Sequence, residues 1–270
     1  MKKIAVIISV YKNDTLQNLQ EALHSLYEQT FTADIFVQQD GHVQKEVAVY
    51  LDDELQKKKI VYMGKRNENK GLAYSLNELL SILLEKGYEY IARMDADDIS
   101  LPHRFEKQYR FMQNNKDIDV VGGYIEEFSI NASYNKIVHY PLIHKEMYHF
   151  FEKRVPLAHV SAFFRRSFFE KAGLYPTSSP TNEDTLLWMK GFQAGCKFAN
   201  IPEVMVRVRV SEAFFGRRGG MKKAWSDFND RMKVINTLRY NTSAYFYALI
   251  LFIVNIAPPK IKKFLYKRLR

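Results

Sequence analysis

The chain contains a single cysteine, Cys196. That excludes an internal disulfide framework and any cysteine-rich metal site, and it fits a reducing compartment. Glycine is missing from the first polar turn, Ser9-Val10-Tyr11-Lys12-Asn13, so the close backbone approach to a pyrophosphate that marks a dinucleotide-binding fingerprint is absent. The apolar run Ala244 to Ala257 has about 14 residues, short of the roughly 20 that a spanning helix needs. Lys2 and Lys3 precede another apolar run, Ile4 to Val10, which is too short for a secretory signal and lacks its cleavage signature. It reads as a first strand. No internal repeat is evident.

Of 270 residues, 47% are hydrophobic, which excludes general disorder and allows either one domain or a domain with an appendage. The formal charge of +10 invites a nucleic-acid partner, but its distribution argues otherwise. Lys and Arg collect between Arg207 and Lys223 and between Lys260 and Arg270, flanking the apolar segment. An anionic membrane surface suits that arrangement better than a duplex groove.

Ile4 to Val10 is followed by a helix over Leu16 to Tyr27, whose leucines at 16, 19, 23 and 26 recur at helical spacing. Asp34 to Gly41 forms a second strand, Glu46 to Leu55 covers a helix, and Lys59 to Met63 resembles a third strand. Gly71 opens a helix through Leu83, and Tyr88 to Met94 is the fourth strand. Such alternation, with room for crossover helices, predicts a mostly parallel sheet covered on both faces. Ligands of such sheets sit beyond the carboxyl ends of the strands, where Tyr11, Asp40 and Asp95 to Asp98 all fall.

Beyond a helix over Pro102 to Asn114, strands are expected at Val120 to Tyr124, Lys136 to Tyr140 and His159 to Phe164, with a polar or helical stretch across His144 to Arg154. A short helix ends at Gly173. Glu183 and Asp184 stand before a helix over Thr185 to Ala194, and Phe198 to Arg209 is extended. Met221 to Arg239 is a basic amphipathic helix, and the apolar tail after it is expected to lie on or dip into a membrane. The other reading of that tail is an apolar helix docked on the main domain.

Asp95, Asp97 and Asp98 stand at the mouth of an apolar strand. Carboxylates there repel one another unless a proton or cation lies between them, and a hard divalent ion gripping a phosphate relieves the strain. A loop with helix-capping aspartates is the plainer account of the same residues.

Ser9-Val10-Tyr11-Lys12-Asn13, Asp40-Gly41, the segment Arg66 to Asn77, Asp95-Ala96-Asp97-Asp98 and Glu183-Asp184 follow one another in an order and spacing that resembles family 2 glycosyltransferases of the GT-A type. These are bacterial inverting enzymes of polysaccharide and lipopolysaccharide assembly. The resemblance covers residues 4 to about 195 and weakens beyond. It implies the α/β GT-A nucleotide-diphospho-sugar transferase fold, with a donor-binding part over about 1–125, an acceptor-binding part over about 126–220, and a helical, membrane-associated extension over 221–270.

It also implies a UDP-sugar donor, Mn2+ or Mg2+, and a polyprenyl-diphosphate-linked saccharide acceptor, with no nucleic acid, at the cytoplasmic face of the bacterial inner membrane. Ser9 and Tyr11 are placed at the base by this resemblance, and Asp40 accepts the uracil imide proton. Arg66, Asn69, Lys70 and Gly71 meet phosphate or ribose, Asp95 and Ala96 lie on the nucleotide side, and Asp97, with Asp95, holds the metal. Asp184 is the general base, and Glu183 fixes acceptor or loop geometry. Arg217 and Arg218, on a glycine-rich basic loop, close over the diphosphate. Many relatives carry a histidine after the last strand; Arg207, Arg209 and Ser211 occupy that region here, which leaves a third metal ligand open. His159 and Ser161 fall on the acceptor side, where hydrogen-bonded structure accounts for them equally. A sugar-phosphate nucleotidyltransferase, or a basic membrane- or nucleic-acid-binding protein, is the alternative.

Overall fold

Strand β1 (Ile4–Tyr11) is buried along both faces, because alternate side chains serve two separate cores. The computed structural model describes residues 4–129, 134–179, 181–210 and 221–256. Around β1 lie β2 (Asp34–Asp40), β3 (Tyr62–Lys65) and β4 (Tyr90–Asp95), parallel and in the order β3-β2-β1-β4. Helices α1 (Leu16–Tyr27), α2 (Lys45–Gln56) and α3 (Leu72–Glu85) are their crossovers. Thr15 caps α1 by accepting from the Asn18 N–H at 3.3 Å, and Leu19, Leu23 and Leu26 bury its apolar stripe.

The sheet continues from β4 through β8 (Phe163–Arg165), β6 (Val120–Phe128), β9 (Phe198–Arg209) and the two-residue β5 (Ile99–Ser100). Here β8 is antiparallel to both neighbours, β6 and β9 are parallel, and β5 is antiparallel to β9. The hairpin strand β7 (Asn135–Val138) pairs with β6. Against this sheet lie α4 (Arg104–Asn114), α5 (His144–Phe151), α6 (Arg166–Ala172) and α7 (Glu183–Gln193), while α8 (Met221–Leu238) packs on α7 and α9 (Thr242–Ile256) on α8.

One core, with Ile7, Leu76, Leu80, Phe164 and Trp188, also takes in Val234, Ile235, Ala244 and Ala248 from α8 and α9. The other holds Val6, Ile8, Leu19, Leu23, Val47 and Phe105. One side of α9 is therefore docked on the domain. Its other side leaves Phe246, Leu249, Ile250, Ile253 and Ile256 exposed, Phe246 at 69%. Among the described residues no helix is long and apolar enough to cross a membrane.

Several boundaries differ from expectation, and three of them bear on the site. The third strand lies at Tyr62–Lys65 rather than 59–63, since Lys58 to Ile60 close the C-terminus of α2 by donating to carbonyls of Glu54 and Leu55. His159 to Ser161 form a 3-10 turn before β8, so a continuous strand over 159–164 is not present. Helix α7 starts at Glu183, which puts both acids in its first turn.

Candidate active site

Pairing register aligns the carboxyl ends of the parallel strands: Tyr11 lies beside Asp40, and Ser9 beside Asp95. Tyr11 and Ser9 are half-buried, and the turn after β1 is held by Asp14, whose carboxylate accepts the Tyr11 N–H at 2.8 Å. Asp40 is 3% exposed. Its carboxylate accepts from the backbone N–H groups of Lys70 and Gly71, each at 2.8 Å, and from the Arg66 guanidinium. Arg66 also donates to Ser75 and Glu78, both at 2.8 Å. The Asn69 side chain donates to the Asp40 carbonyl at 3.1 Å. Gly41, at φ +80°, brings the backbone so close to this loop that a Cβ would sit 2.8 Å from the Asn69 nitrogen. Asp40 is thus the buried post on which the 66–71 loop and the start of α3 are hung.

At the end of β4, Asp95 is gripped by both terminal nitrogens of the buried Arg93. Ala96 is buried behind it. Asp95, Asp97 and Asp98 each offer a ligand atom, all within 4.8 Å of one another. Burial, and then the charge of Asp95, push the Asp97 carboxyl up to about 6, and the same causes with Asp97 added push Asp98 well up. A cluster of oxygen donors that resists ionising together is the donor set a hard divalent cation fits. Arg209 of β9 braces the loop: its backbone N–H donates to Asp98 at 2.8 Å, its Nε to the Asp97 carbonyl at 3.0 Å, and its guanidinium pairs with Glu21.

Across the cleft, Glu183 is buried and its carboxyl is raised to about 7, by burial and then by Asp184. Asp184 accepts from the Thr185 N–H at 2.6 Å and its hydroxyl at 3.2 Å. The loop leading to this helix is tied to α8. Asn182 donates to Asp227 and Asp230, both at 2.9 Å, and Ser179 to Asp230 at 2.6 Å. His159 donates to or accepts from the Tyr175 hydroxyl at 2.8 Å, and burial, then Arg93, hold it well below its ordinary pKa. Ser161 is fully buried and bonded to Gly123 and Ala158.

Asp95, Asp98 and Asp184 line one cavity of about 770 Å³, together with Arg93 and His159. Asp95, Asp98 and the first-turn acid Asp184 therefore face a common space, whereas Asp97 and Glu183 are not among the residues that line it. Arg217, Arg218 and Ser211 lie outside the described residues. Arg93, Arg209 and Asp230 are site residues that the sequence does not announce: Arg93 looks like one more position of a buried strand, and Arg209 and Asp230 act on loops far away in the chain.

A doubly covered sheet whose parallel strands end at an acid cluster, with a separate acid on the same cavity, is the architecture of the GT-A fold. The chain matches the family model described as Glycosyl transferase family 2 over residues 5–173 and belongs to that family. Among its relatives, the amylovoran biosynthesis glycosyltransferase AmsE of Erwinia amylovora is 29% identical over 266 residues, 98% of each chain. The UDP-Gal:alpha-D-GlcNAc-diphosphoundecaprenol beta-1,3-galactosyltransferase of Escherichia coli is 27% identical over 268 residues, 98% of this chain and 96% of the relative.

Solved structures share the fold. The mannosyltransferase PcManGT of Pyrobaculum calidifontis, with GDP-Man and Mn2+, superposes with a TM-score of 0.63 at 14% identity, over 98% of this chain and 79% of its own. TarS 1–349 of S. aureus, with UDP-GlcNAc, gives 0.61 at 15% identity, over 96% and 82%.

Proposed function

We propose that this glycosyltransferase moves a hexose or N-acetylhexosamine from a UDP-sugar to a hydroxyl of a polyprenyl-diphosphate-linked saccharide, with inversion, in surface polysaccharide synthesis. The observation that carries this reading is the single cavity shared by Asp95, Asp98 and Asp184. The E. coli relative, by its name, takes its sugar from UDP-Gal and has a diphosphoundecaprenol acceptor, and AmsE, by its name, serves amylovoran biosynthesis.

In this proposal Ser9 and Tyr11 border the base, and Asp40 orients the loop of Arg66, Asn69, Lys70 and Gly71 beside the nucleotide. Asp97 and Asp95 would hold Mn2+ or Mg2+, which when bound would supply positive charge for the departing diphosphate. Arg93 fixes Asp95, and Arg209 fixes the backbone of Asp97 and Asp98, so the donor meets a preset surface. Asp184, oriented by Thr185, takes the proton of the acceptor hydroxyl as that oxygen attacks the anomeric carbon and the bond to UDP breaks. Glu183 sets the position of the loop.

The enzyme works peripherally at the cytoplasmic face of the inner membrane, with residues 221–270 as its membrane-facing extension; the exposed apolar side of α9 supports this. The test is transfer from a panel of α-linked UDP-sugars to a synthetic prenyl-diphosphate-linked saccharide, with the product's anomeric coupling read by NMR. A β-linked product is expected. An α-linked product, or transfer only from non-uridine donors, contradicts the proposal.

A further inference from the structure

The wall of the cavity that holds the acids also takes in α8, α9 and the segment after α5, and the chemistry of that compartment wall differs. Arg231 of α8 donates to the Phe151 carbonyl at 2.6 Å and lies over the Phe151 ring at 5.4 Å. Arg154 donates to the Tyr247 hydroxyl at 3.3 Å, and Lys153 sits over the same ring at 5.9 Å. Among the described residues none of these three cations forms an ion pair, although Asp227 and Asp230 line the same compartment. Those two acids are engaged, by Lys223 and Asn182 and by Lys233, Asn182 and Ser179.

Burial lowers Arg231 to about 10, so it remains a cation at neutral pH. Asp184 is near enough to contribute to its electrostatics. A partly desolvated cation without a carboxylate partner is costly unless an anion arrives. Lys153 and Arg154 also line a neighbouring cavity of about 630 Å³, so they stand on the wall between the two. Next to them the surface is apolar: Leu251, Phe252 and Val254 of α9 line the compartment, while Trp225, 55% exposed, packs edge-on against Phe252 at 5.8 Å.

We infer that Arg231, Arg154 and Lys153 form the subsite for the acceptor's diphosphate, and that α9 with Trp225 carries the first isoprene units toward the membrane. This rests on the reading of the acceptor as lipid-linked. Fixed cations give a diphosphate charge-assisted hydrogen bonds, and the adjoining apolar wall gives an isoprenoid chain an area to bury. The three cations line the same cavity as Asp184, Asp95 and Asp98, so a saccharide attached to that diphosphate shares the space of the base.

The test is calorimetric titration of the full chain with farnesyl diphosphate. Arg231→Gln and Arg154→Gln are each expected to weaken binding about tenfold or more, and Lys153→Gln, at an exposed position safe for folding, several-fold. Lys86→Gln, after α3, is expected to change nothing, and farnesol is expected to bind all variants alike. Wild-type affinity in the three subsite variants, no binding of farnesyl diphosphate by the wild type, or equal weakening by Lys86→Gln with displacement by phosphatidylglycerol vesicles overturns the subsite. UDP titrated with Mn2+ is the separate arm. Its failure in the wild type counts against the transferase reading, whereas intact UDP binding with an unaltered farnesyl diphosphate response condemns the subsite alone.

Discussion

Replacing Asp40 by Asn removes the charge from a side chain that is 3% exposed and paired with Arg66, itself 11% exposed. An amide keeps one acceptor oxygen but turns an NH2 group toward donors now satisfied by the carboxylate: the N–H groups of Lys70 and Gly71 and the Arg66 guanidinium. Breaking such a pair from one side costs about 3–5 kcal/mol when both partners are buried. Arg66 retains Glu78, so the lower end, about 3 kcal/mol, is expected. For a chain of this size that lowers Tm by roughly 6–12 °C.

The assay is thermal unfolding without ligand, followed by UDP titration in Mn2+ at a temperature where the variant is folded. Both Tm and UDP affinity are expected to fall, because the 66–71 loop loses its post. A Tm within about 1 °C of wild type together with a large loss of affinity refutes the reasoning, since it marks Asp40 as a contact to the base alone.

Asp97→Asn is expected to abolish the Mn2+-dependent gain in Tm with UDP while leaving the metal-free protein at neutral pH as stable as wild type or more so, because it removes a charge from a repelling cluster. A variant less stable without metal, or with an unchanged Mn2+ response, contradicts this. Glu183→Gln tests the second acid. Its folded pKa of about 7 exceeds the ordinary 4.5, so the folded state holds the proton longer and wild-type stability is lost as pH rises from 4.5 through 7. The Gln variant is expected to match wild type near pH 4.5 and to exceed it by up to about 3 kcal/mol above pH 7. A difference that does not vary with pH counts against it.

The parallel half of the fold was legible because its signals are local. Leucines at helical spacing mark α1 over Leu16–Tyr27, the bounds the structure has, and apolar runs ending in Tyr11, Asp40 and Asp95 mark strand ends. Strand β5 was not legible. Two residues carry no periodicity, and Ile99–Ser100 is a strand only because β9 lies beside it. The 3-10 turn at His159–Ser161 hides for a similar reason: Val160 and Ser161 are buried in it just as a strand would bury residues there.

Site residues follow the same division. The motif acids show themselves by being carboxylates after apolar strands. The partnership of Asp40 with the 66–71 loop, Arg209 with the acid cluster and Asp230 with the 179–182 loop all depend on closures of 26 to 112 residues, which only the folded chain displays.

The most direct test of the proposal that Asp184 is the base in the cavity it shares with Asp95 and Asp98 is Asp184→Asn, assayed for UDP-sugar binding in Mn2+ and for transfer to a prenyl-diphosphate-linked saccharide. Donor affinity is expected to stay at the wild-type value while transfer falls by about 10²–10⁴. Near-normal transfer would remove Asp184 from the chemistry, and loss of donor affinity alongside transfer would show that it serves the donor rather than the acceptor.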